Sequence, residues 1–78
     1  MTENEISYKV IGIAIKLHNE LGPGLLESAY EAALKYDLEK AGLEVSQQVS
    51  MPFIYKEIKT DIGYRLDLLV ENKLIIEV

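Results

Sequence analysis

From Ile58 to Val70 the side chains sort by parity into two rows, and few folds accept such a segment. Ile58, Thr60, Ile62, Tyr64, Leu66, Leu68 and Val70 make one nearly unbroken apolar row, while Lys59, Asp61, Gly63, Arg65 and Asp67 make the other. That alternation is the signature of a strand buried on one face. After Glu71, Asn72 and Lys73 the apolar row resumes at Leu74, Ile76 and Val78, with Glu77 between them. A two-residue loop would set Asp67 against Ile76 and mix the faces. A three-residue loop pairs Val70 with Leu74, Leu68 with Ile76 and Leu66 with Val78. In that register Asp67 lies across from Glu77, and like charges opposed on neighbouring strands cost some fraction of ~1 kcal/mol unless a cation sits between them.

Seventy-eight residues allow one domain with one modest core. The composition, 49% hydrophobic and 27% charged, is that of a chain that folds. No cysteine is present, which excludes disulfides and thiolate metal sites and fits a cytoplasmic, reducing setting. The longest apolar runs fall far short of the ~20 residues of a membrane span. A formal charge of −5 argues against a protein that wraps nucleic acid by phosphate neutralisation alone, though not against one whose acids are covered by metal ions.

Thr2 and Glu5 have capping-box spacing, so a first helix is expected from Glu3 to Leu21, ended by Gly22. Its stripe of Ile6, Val10, Ile13, Ala14, Leu17 and Leu21 is widened by Ile11 and Ile15, and so wide a stripe calls for cover on two sides. His18, beside Ile11 and Ile15, is expected to be packed and hydrogen-bonded. A second helix is expected from Leu25 to Ala41 with Gly24 as N-cap. Its inner stripe is Glu27, Tyr30, Leu34, Leu38 and Ala41; Glu31, Lys35 and Glu39 read as a solvated face. Glu27 is an acid in an apolar row. At the third helical position it either caps the helix or belongs to a site.

From Glu44 onward the period changes to alternation. Val45, Val49, Met51, Phe53 and Tyr55 point one way and Ser46, Gln48 and Ser50 the other, with Pro52 marking a sheet edge. A turn at Lys56–Glu57 sets Tyr55 against Ile58, Gln48 against Arg65 and Ser46 against Asp67. Ser46, Gln48, Arg65, Asp67 and Glu77 then share one face, either as a site or as an ordinary solvated surface. The expected fold is α+β, two N-terminal helices on a three-stranded antiparallel sheet. Self-association is expected through the open edge of the third strand and the apolar first helix.

Gly24-Leu25-Leu26-Glu27-Ser28-Ala29-Tyr30 resembles the signature of the GxxExxY protein family, and the similarity extends through Gln48, Tyr64–Val70 and Ile75–Val78. That family is similar to the PD-(D/E)XK nuclease superfamily, built on a helix, three antiparallel strands, a helix and a strand. The resemblance implies catalytic roles for Glu27, Asp67 and Glu77, with Asp67 and Glu77 holding Mg²⁺ or Mn²⁺, and supporting roles for Gln48, Arg65 and Tyr30. It implies nucleic acid as the partner and phosphodiester hydrolysis as the reaction. The lysine of the pattern would fall one position beyond Val78, and Glu57 stands where the family tends to show glycine. The resemblance therefore describes the N-terminal portion of a nuclease-like domain, a truncated core expected to be inactive by itself. A binding or assembly module that keeps the fold without the chemistry is the alternative.

Overall fold

In a computed structural model, the structure describes the backbone of residues 1–78 and every side chain except those of Phe53, Lys59, Thr60, Asp61, Ile62 and Tyr64. Two helices, α1 (Glu3–Leu21) and α2 (Glu27–Lys40), precede three strands, β1 (Val45–Tyr55), β2 (Ile58–Val70) and β3 (Leu74–Ile76). The strands form an antiparallel sheet in the order β1-β2-β3, with both helices on one face.

The first helix begins where its capping box places it. Thr2 Oγ1 accepts the Glu5 N–H at 3.2 Å, and Glu5 Oε1 accepts the Thr2 N–H at 3.0 Å. These bonds to Thr2, backbone first and side chain second, hold the Glu5 carboxyl below the usual carboxylate range. Because the folded value is depressed, the contribution is present above the unfolded value and lost as pH falls through the folded one. NMR titration should therefore show Glu5 titrating below a free glutamate, with the first turn of α1 loosening in step; Glu5→Gln should remove that pH dependence. At the other end Gly22, at φ 73°, donates its N–H to the His18 carbonyl at 2.8 Å and closes the helix.

The second helix starts two residues later than the sequence suggests. Leu26 is the N-cap and makes no side-chain capping bond, so Glu27 is the first helical residue rather than the third. Its far end is a Schellman closure. Gly42, at φ 89°, donates to the Glu39 carbonyl and Leu43 to the Leu38 carbonyl, and the buried Leu38 and Leu43 side chains complete it. Lys9 of α1 donates to the Ala41 carbonyl at 3.0 Å and Tyr30 of α2 to the Ala14 carbonyl at 3.1 Å, so each helix is tied to the other.

Between helices and sheet lies one core of Ile6, Val10, Leu17, Leu34, Leu38, Leu43, Val45, Leu68 and Val70, flanked by Leu74 and Ile76. The β2–β3 register is the one expected from apolar parity, Val70 with Leu74 and Leu68 with Ile76. The ladder ends there, so the expected Leu66–Val78 pair is not part of it. In the connecting loop Glu71 and Asn72 both have positive φ, and Glu71 is fixed by two bonds with Glu44: its N–H to the carbonyl at 2.8 Å and its carboxylate from the N–H at 3.1 Å.

The β1–β2 register is right at the turn and wrong beyond it. Tyr55 pairs with Ile58, but between Pro52 and Phe53 the register shifts by two. Ser50, not Gln48, faces Arg65, and Ser46 faces Leu69 rather than Asp67. Pro52 has no N–H to give to the ladder, and a side chain at Gly63 opposite would run into the Met51 carbonyl.

Two packing expectations fail together. The helices cover only part of the long hairpin, and the molecule extends 46 × 31 × 15 Å, so Ile54, Tyr55 and Ile58 stand in solvent. Among the described residues nothing covers the second side of α1 either. Ile11 and Ile15 are 56% and 57% exposed, and His18 is exposed rather than packed.

Candidate functional site

Asp67 sits on the central strand between the buried Leu66 and Leu68, and their fixed direction sends its carboxylate to the face away from the helices. It is half-buried. Asp67 Oδ2 accepts the Val78 N–H at 2.8 Å, so the carboxylate leans toward the chain that leaves β3. The β2–β3 ladder ends at Leu68–Ile76, and Glu77 follows one residue beyond β3, next to the Val78 whose N–H Asp67 accepts. Glu77 is exposed. Among the described residues neither acid takes part in an ion pair.

The other candidates do not join them. Glu27 is exposed in the first turn of α2, Arg65 is exposed opposite Ser50, and the Tyr30 hydroxyl is engaged in bonding the two helices together. Among the described residues, no three histidine or acidic side chains converge as a metal-binding group. Asp67 and Glu77 are two hard oxygen donors. That set fits Mg²⁺ or Mn²⁺, which usually binds one or two carboxylates and completes its shell with water and phosphate.

The carboxylate that the fold does bury is one that spacing assigned to solvent. Glu31 is 8% exposed, the single buried charged residue among those described. Gln48 Nε2 donates to Glu31 Oε1 at 3.2 Å and Oε2 at 3.0 Å, and Gln47 Nε2 also donates to Oε2. Adjacent strand residues ordinarily point to opposite faces, so two such neighbours cannot both reach one helix without a break. The break is at Gln48, whose φ of 52° is left-handed and whose partner is missing from the ladder between Gln47–Leu68 and Val49–Leu66. A non-glycine residue there costs on the order of 1–3 kcal/mol. The Glu31 bonds offset it, and Gln48 is thereby turned from the polar cluster toward α2. The readable signal was Glu31 at three and seven residues before Leu34 and Leu38, on the same helical face.

Glu31→Ala should lower stability by about 1–3 kcal/mol in urea unfolding, because it removes the acceptor of both amides and leaves the Gln48 conformation uncompensated. Glu31→Ala with Gln48→Gly should recover part of that loss, since glycine adopts the left-handed conformation without strain.

A sequence model of the PD-(D/E)XK nuclease superfamily matches residues 4–78. The chain belongs to that superfamily, and its nuclease-like class agrees with the α+β fold and with an acid on the central strand. Searches of curated proteins and of solved structures each gave no significant match. Among the described residues no helix is long and apolar enough to cross a membrane.

Proposed function

We propose that this chain is the divalent-metal-binding part of a cytoplasmic nuclease-like domain that acts on nucleic-acid phosphodiesters, with Asp67 and Glu77 as the metal ligands. One observation supports the reading: the Asp67 carboxylate accepts the Val78 N–H, which brings it beside the segment that carries Glu77, in a chain of this superfamily. The Asp67–Val78 bond orients one ligand before any ion arrives. When bound, the ion supplies Lewis-acid stabilisation of the phosphoryl oxygens and activation of water.

Glu27 retains the catalytic role that the resemblance implies, and as an exposed first-turn residue it reaches substrate from the N-terminus of α2. Arg65 and Gln48 act as supporting residues, Arg65 from the exposed sheet face and Gln48 through the Glu31 bonds that fix β1. The 78 residues bind metal weakly and cleave poorly. Among the described residues neither carboxylate is paired with a cation, and two carboxylates alone leave the developing charge of the transition state without enough stabilisation, even where ground-state binding persists.

The test is calorimetric titration with MgCl₂ and MnCl₂, run beside cleavage assays on single- and double-stranded DNA and RNA. Saturable binding with little cleavage is expected. No heat with either ion overturns the metal assignment; efficient cleavage by this chain shows that the site is richer than Asp67 and Glu77. The assembly-module reading is favoured by one feature, the uncovered apolar side of α1, which bears on a different property.

A further inference from the structure

We propose that Gln48 is a movable residue of the Asp67 site: Glu31 holds it away, and on release it swings beside Asp67 and offers its carbonyl oxygen to a divalent cation. Among the non-glycine residues at positive φ, Lys56, Glu71 and Asn72 lie in the two strand connections, where turn geometry accommodates such angles. Gln48 lies inside β1, at φ 52°. A strained angle within a strand points to a function when a second arrangement of the same residue is within reach.

The register supplies that second arrangement. Gln47 pairs with Leu68 and Val49 with Leu66, so Gln48 stands level with Asp67. Leu66 and Leu68 are buried in the core, and the alternation of an extended strand would send the side chains of Gln48 and Asp67 together to the opposite face. Residues directly opposed on antiparallel strands have Cβ atoms about 4.5–5.5 Å apart, close enough for a carboxamide and a carboxylate to share one ion. The left-handed angle instead turns Gln48 to α2, where Nε2 donates to both oxygens of Glu31 at 3.2 and 3.0 Å.

Each position has something to hold it. Toward α2, Gln48 makes charge-assisted hydrogen bonds from a strained backbone. Toward Asp67 it gives up those bonds, relaxes to an extended angle and fills the ladder position between Gln47 and Val49. Two features ease the exchange. Gln48 is exposed, so its departure opens no cavity in the core. Gln47 also donates to Glu31 Oε2, so the buried carboxylate keeps a partner after Gln48 has left. An amide carbonyl is a hard oxygen donor, as the two carboxylates are, and would add a third to them. Metal affinity is then reduced by the fraction of chains in which Glu31 holds Gln48. This ligand role rests on the metal reading of Asp67; the swing does not.

The test compares the unaltered chain, Glu31→Ala, the milder Glu31→Gln, and Glu31→Ala with Gln48→Gly, each checked for its fold by circular dichroism. Without metal, NMR reads the φ-sensitive coupling between the Gln48 amide and α protons, and Overhauser contacts from its side-chain amide. Calorimetry with MgCl₂ and MnCl₂ reads affinity. The unaltered chain should show the left-handed coupling, Glu31→Ala the extended one with contacts to Asp67, and Glu31→Gln a value between them. Affinity should rise about tenfold in Glu31→Ala and fall back to that of the unaltered chain when Gln48→Gly removes the carboxamide. A left-handed Gln48 that persists in both single variants overturns the proposal, and so does a swing that leaves affinity unchanged. Should Glu31→Ala fail to fold, Glu31→Gln decides by the same readouts. No heat in any arm overturns the metal reading of Asp67 and the ligand role with it; the metal-free coupling distinguishes that result from failure of the swing.

Discussion

Leu68→Ala is expected to remove about 2–5 kcal/mol of stability, the range for a fully buried leucine whose cavity does not collapse. Leu68 is 0% exposed on the central strand, paired with Gln47 on one side and Ile76 on the other, in a core shared with Ile6 and Leu38. Strands on both flanks hold the backbone in place, so the neighbours have little freedom to close the gap. For a domain of this size the whole folding free energy is roughly 4–12 kcal/mol at 0.05–0.15 kcal/mol per residue. One truncation therefore takes away a large share of it. Urea unfolding should show a much lower midpoint with an unchanged slope; Ile75→Ala, at a 52% exposed position on β3, should stay within about 0.5 kcal/mol. Equal losses at the two positions would mean that the sheet's second face is covered in solution.

Asp67→Asn should weaken divalent-metal binding by more than tenfold while leaving the fold intact. The amide oxygen can still accept the Val78 N–H, so the substitution separates the charge of Asp67 from its hydrogen bond. On the proposed site it also removes a like charge near Glu77. In the absence of metal the variant should be slightly more stable than the parent, by some fraction of ~1 kcal/mol. Glu27→Gln provides the contrast, with affinity expected within twofold of the parent because Glu27 does not converge with Asp67 and Glu77. Retained affinity in Asp67→Asn would move the site elsewhere, and loss of affinity in Glu27→Gln would bring α2 into it.

Where local rules act alone, the chain was readable. Both ends of α1 follow from Thr2, Glu5 and Gly22, and the β2–β3 register follows from the demand that Leu68, Val70, Leu74 and Ile76 share a face. Two features depended on partners distant in sequence. Glu31 resembles a surface residue when it is read with Lys35 and Glu39, and becomes an interior one once Gln47 and Gln48 arrive from β1. The shift at Pro52 keeps the parity of every side chain beyond it, because two residues are skipped rather than one. Apolar pattern could therefore not reveal it. The turning of Gln48 toward α2 was hidden in a backbone angle.

The hairpin reaching beyond the helices gives β2 two mechanical regimes on one strand. From Leu68 to Val70 it is held between β1 and β3 beneath two helices, whereas at Ile58 its partner among the described residues is Tyr55 of β1. Amide exchange should therefore be slowest at Leu68 to Val70, where β2 is paired on both sides. Asp67 stands one residue outside the clamp, tied to its edge by the Val78 N–H. Whatever docks against the free arm pulls on a lever whose fulcrum is next to the carboxylate.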